Sequence, residues 1–203
     1  MLPPSHRASV ASGTASKLAL TLGTVPRSAR WILPALAAAF EGTDVSTLEP
    51  RTRALLLLRV AAVDHAPYWR ERFEVAARGV GISDDEVELV GSGEWERVPV
   101  FTDRERAAIL WGDRVARRLA RRDGVAYRIV REEFDDVEIV ELTAIASLAA
   151  MADRLTNALR ISPEKEGGLT PADGPIAEEA FRRWSRSMFQ SGTAATWTHE
   201  MGR

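Results

Sequence analysis

The sequence predicts an all-α protein built of antiparallel helices, and three observations carry that expectation. Apolar residues recur at helical spacing along most of the chain, and no stretch alternates convincingly with a period of two. Helix-start signals, a Ser, Thr or Asp followed three residues later by Glu, stand at Ser83/Glu86, Thr102/Glu105 and Asp135/Glu138. The apolar run over 51–63 (RTRALLLLRVAAV) is too long for a typical strand and rich in Leu and Ala, which favour helix.

Taken in order, residues 1–40 contain no Asp or Glu. An acid-poor start bearing Ser and Arg can mark a transit peptide, but the apolar run over 18–22 is short for a secretory segment, so residues 1–25 are expected as a flexible tail. Residues 30–40 form an apolar helix that Pro34 kinks or starts late. The 51–63 run is apolar on every side and reads as a buried central helix. After a break at 64–67, a helix over 68–78 ends at Gly79 or Gly81. Ser83 opens a short helix, and Gly91–Ser92–Gly93 reads as a linker. Thr102 starts a helix to about Arg122, 125–134 is another, and Asp135 starts the last core helix, to about Arg160. That helix carries two apolar sets, so cover on two faces is expected. A Pro/Gly-rich connector and an amphipathic helix over 176–190, with Phe181, Trp184 and Met188 on one face, complete the chain. The expected organisation is a tail over 1–25, a helical domain over 26–161, and a linker plus helix over 162–203.

Composition narrows the chemistry. The 203 residues are 45% hydrophobic and 28% charged, the balance of a soluble globular protein. A formal net charge of −2 gives no global basic field for nucleic acid, and no apolar run approaches the roughly 18 residues of a membrane span. Neither partner is expected, and the cytoplasm is the expected location. Cysteine is absent, which removes disulfides, zinc–thiolate sites, iron–sulfur clusters and thiol mechanisms together. The three histidines, His6, His65 and His199, form no metal-ligand spacing, and the 91–93 glycines neither follow a strand nor precede a Lys. No metal or cofactor is expected.

The stretch PRTRALLLLRVAAVDHAPYWRERFEVAARGVGISDDEVELV, followed by FTDRERAAILWGDRVARRLA and FDDVEIVELTAIASLAAMADRLTNALRI, resembles the carboxymuconolactone decarboxylase / alkylhydroperoxidase D-like family over roughly 26–161. The resemblance implies an alkylhydroperoxidase D-like helical fold and association into trimers or hexamers. The peroxidase branch of that family uses a Cys-x-x-Cys pair, a His four residues after it and a Glu twelve residues before it. Those positions fall here on Ala66, Trp69, Phe73 and Ala54. None of the four can supply a thiolate or relay a proton, so thiol peroxidase activity is not expected. The thiol-free decarboxylase branch depends on the same His position, which is Phe73 here.

The polar residues left around that site define two readings. In the first, the chain is a cofactor-free small-molecule enzyme of decarboxylase, lyase or isomerase type. His65 moves a proton beside Asp64, Tyr68 and Arg72 stabilise a developing negative charge, and Trp69, Phe73 and Trp111 wall an apolar pocket near Arg53. In the second, Trp69 and Phe73 plug that pocket, Asp64 caps the helix at Pro67–Tyr68, and the chain is a catalytically inactive ligand-binding or assembly protein. Arg59, inside an apolar run, requires a carboxylate partner if buried.

Overall fold

A computed structural model of the chain describes residues 17–40 and 46–163, and all regular structure among them is helical. The helix expected over 176–190 and its connector lie outside the described residues. Two units divide the described residues, 17–33 and 34–163. The first contains α1 (Lys17–Gly23), a helix that the reading of a flexible tail omitted, with Leu18, Ala19 and Leu22 buried. Helix α2 (Pro26–Phe40) starts well before Pro34 and runs through it.

The second unit is organised around α3 (Pro50–Val63), which packs against α4 (Pro67–Gly79), α5 (Asp84–Ser92), α6 (Asp103–Ala116) and α8 (Asp136–Ala158). Thr52 and every residue from Ala54 to Ala61 are buried, as an all-apolar surface demands. Gly112 lets α6 approach α3 closely. A Cβ there would lie 3.1 Å from the Leu56 carbonyl oxygen and 3.1 Å from its side chain. Helix α7 (Gly124–Glu133) packs on α6.

All three capping boxes form, with Ser83, Thr102 and Asp135 each accepting from the backbone N–H three residues on. Two helix ends differ from the sequence reading. Gly91 and Ser92 belong to the last turn of α5, and only Gly93, at φ 91°, makes the left-handed cap. Helix α6 stops at Ala116, because Arg118 adopts φ 61° and turns the chain back toward α7. Arg114 and Arg117 pair with Asp113, and Arg114 also holds Asp123.

Candidate functional site

The site begins where α3 hands over to α4. Asp64 caps the C-terminus of α3, and His65 takes the left-handed conformation (φ 50°) that reverses the chain. Ala66, fully buried, is the N-cap of α4, followed by Pro67 at the first helical position, where a missing N–H costs nothing. Asp64 therefore does not cap α4, contrary to the sequence reading. The reversal at His65 directs it to Arg154, 3.4 Å away. Asn157 Nδ2 donates to the Asp64 carbonyl at 3.0 Å.

On α4, helical spacing brings Tyr68, Trp69, Arg72 and Phe73 together as expected. Tyr68, Trp69 and Phe73 are all buried. Trp69 and Phe73 stack with centroids 5.5 Å apart, and Tyr68 meets the Trp69 ring edge-on at 5.3 Å. Phe40, from the end of α2, inserts against both, 4.8 Å from Trp69 and 5.1 Å from Phe73 in edge-to-face geometry. Three rings thus occupy the space around the positions where the resemblance places its second cysteine and its histidine. Arg72 lies over the Tyr68 ring, 4.8 Å from its centroid, and 6.0 Å from that of Trp69.

Beside this cluster is a cavity of about 130 Å³ lined by Phe73, Phe40, Arg53, Ala54, Leu57 and Val80. It brings Arg53 to the site but falls short of the roughly 300 Å³ that small-molecule pockets reach. His65 is exposed. Trp111 makes other contacts, donating to Thr143 Oγ1 at 2.9 Å and packing on Tyr127.

Sequence reasoning missed two members of the site. Phe40 is one; no local spacing ties it to α4. The other is Asp153 on α8. Arg154 and Asn157 do satisfy polar groups there, but both Asp153 carboxylate oxygens are buried with no hydrogen-bond partner. Burial and the nearby Asp64 carboxylate raise its pKa to about 8, against a smaller opposing effect of Arg154. Asp153 therefore holds its proton at neutral pH.

That has a consequence for stability. The unfolded carboxyl loses its proton near pH 4 and the folded one near 8. Between those values the folded state binds more protons, so stability declines as pH rises, by up to roughly 1.4 kcal/mol per unit. Asp153→Asn removes this slope. It stabilises the chain by about 2–4 kcal/mol at pH 8 and has little effect below pH 4, which denaturant unfolding across that range measures.

No family model matches the sequence, and no curated protein matches it. Solved structures do match. A protein of unknown function from Agrobacterium tumefaciens, described as a putative antioxidant defence protein AhpD, superposes with a TM-score of 0.64 at 22% identity, over 72% of this chain and 97% of that one. The chain has the AhpD fold. A structure described as the alkylhydroperoxidase AhpD core, an uncharacterized peroxidase-related protein of Ralstonia eutropha JMP134, matches with a TM-score of 0.61 at 18% identity, over 72% and 75% of the two chains. An uncharacterized peroxidase-related protein of Silicibacter sp. TM1040 gives 0.59 at 17%, over 69% and 73%. The AhpD fold here carries no cysteine, and among the described residues no group of three or more His, Asp or Glu side chains is placed to hold a metal. No helix among them is long and apolar enough to cross a membrane.

Proposed function

We infer that this chain is an AhpD-fold protein whose ancestral reaction centre has been closed, and that it serves as a self-assembling protein rather than as a thiol peroxidase. The observation that carries this reading is the Phe40–Trp69–Phe73 cluster, which fills space a substrate would need. Self-assembly is supported by α8. Its inner face is buried through Ile139, Leu142, Ile145 and Ala149, while Val137 and Val140 are 64% and 69% exposed and Met151 continues the same stripe. Positions 137, 140, 144, 148, 151 and 155 follow the spacing of a helix seam that a second copy can cover.

The test is the molar mass of the full chain in solution by light scattering. An assembly of two or more copies, reduced to monomer by Val137→Glu with Val140→Arg, is expected. A wild-type monomer at tens of micromolar refutes the assembly role.

The cofactor-free enzyme reading, with His65 as proton carrier and Tyr68 and Arg72 as charge stabilisers, has one observation in its favour, the cavity beside Phe73 and Arg53. Binding of small carboxylic acids or lactones there, followed by a turnover that His65→Ala abolishes, would restore it.

A further inference from the structure

The turn between α6 and α7 concentrates positive charge. Residues 114–128 hold six arginines against one acid, Asp123, in a chain whose net charge is −2. The net charge therefore conceals a local basic surface. Arg114 is committed within the fold, between Asp113 and Asp123. Arg117, Arg118, Arg121, Arg122 and Arg128 are exposed. Arg117 shares Asp113, a carboxylate that Arg59 and Arg114 already hold. Arg118, Arg121, Arg122 and Arg128 form no ion pair among the described residues.

The main chain fixes this turn. Arg118 takes the left-handed conformation at φ 61°. The Leu119 and Ala120 N–H groups both donate to the Arg114 carbonyl, at 2.7 and 3.1 Å, and those of Arg122 and Asp123 donate to the Leu119 carbonyl, at 2.8 and 3.1 Å. Asp123 then caps α7 through the Ala126 N–H. The guanidiniums are thus carried on an ordered backbone, which lowers the entropy cost of engaging a partner. Apolar side chains stand among them. Leu119 is 42% exposed in the turn, and Val125, in the first turn of α7, is 58% exposed.

We propose that this turn docks the protein on an anionic lipid surface. The arginines meet headgroup phosphates, whose geometry suits a planar guanidinium, and each basic side chain near such a surface adds attraction. Leu119 and Val125 enter the boundary between headgroups and acyl chains. These aliphatic side chains favour a bilayer over nucleic acid. Single strands are bound by aromatic rings on which bases stack, and the aromatic residue nearest the turn, Tyr127, already packs on Trp111 with ring centroids 5.9 Å apart. The surface goes beyond the assembly role and shares no residue with the aromatic cluster or the α8 seam.

Flotation of the full chain with phosphatidylcholine vesicles, with and without phosphatidylglycerol, tests the proposal. The protein floats with the anionic vesicles and not with the neutral ones, and added salt releases it. Arg121→Glu with Arg122→Glu lowers the vesicle affinity by about tenfold or more. Leu119→Gln lowers it by about threefold or more, a loss that a purely ionic contact would not show. The altered side chains are exposed, so an unchanged melting temperature separates lost docking from lost structure. Equal flotation with neutral vesicles, no flotation, or an affinity unmoved by either variant overturns the proposal. So does DNA that strips the protein from the anionic vesicles with an affinity that Leu119→Gln leaves unchanged, which would assign the surface to nucleic acid.

Discussion

Trp69→Ala destabilises the protein by about 3–5 kcal/mol, whereas Trp69→Phe costs less than about 1.5 kcal/mol. The indole is 7% exposed, stacks on Phe73, and has Phe40 and Tyr68 against it. Truncation to alanine removes the ring and leaves a void that its aromatic neighbours cannot collapse into without leaving their rotamers. Phenylalanine keeps most of the ring area and also removes a buried N–H that has no acceptor, so part of its volume loss is offset. Chemical denaturation of the three proteins reads both numbers. A tryptophan lining an open pocket would behave differently, because its loss would leave little new void.

Arg59→Ala is expected to cost about 3–5 kcal/mol for a different reason. Arg59 is buried in the centre of α3 and reaches Asp113 on α6 at 2.6 and 2.9 Å, with a further N–H on the Val90 carbonyl at 2.9 Å. Burial pushes the Asp113 carboxyl up, but hydrogen bonds and charge from Arg59, with Arg117, hold it below the ordinary carboxylate value. Removing Arg59 leaves a buried carboxylate with only Arg114 and Arg117, both partly exposed, and leaves the Val90 carbonyl unpaired. The double variant Arg59→Met, Asp113→Leu recovers most of the loss, since a buried ion pair gains little over well-packed apolar groups. A strong coupling energy in that double-mutant cycle is the expected signature.

Arg59 also shows how much the sequence disclosed. An arginine in an apolar run demanded a carboxylate, and the structure supplies Asp113. The capping boxes fixed three helix starts because each is a local hydrogen-bond pattern written within four residues. The clustering of Tyr68, Trp69, Arg72 and Phe73 was legible for the same reason, as all lie on one short helix. Phe40 was not, because its place against Trp69 depends on tertiary packing rather than on spacing. The stop of α6 at Ala116 was hidden by an arginine-rich stretch with good helix propensity and no Gly or Pro before Gly124. What ends the helix is the left-handed Arg118 and the pull of Arg114 on Asp123, which also caps α7 through the Ala126 N–H. Asp153 was legible as a residue but not as an orphan, since satisfaction of a buried carboxyl is a property of its surroundings.

The proposal that packed aromatic rings close this site to thiol peroxidase chemistry is tested most directly by hydroperoxide turnover. Purified full-length protein, freed of metal and supplied with a dithiol reductant and an alkyl hydroperoxide, is expected to consume the peroxide no faster than buffer. Catalytic consumption that scales with protein concentration and is abolished by altering Trp69 or Phe73 would contradict the account.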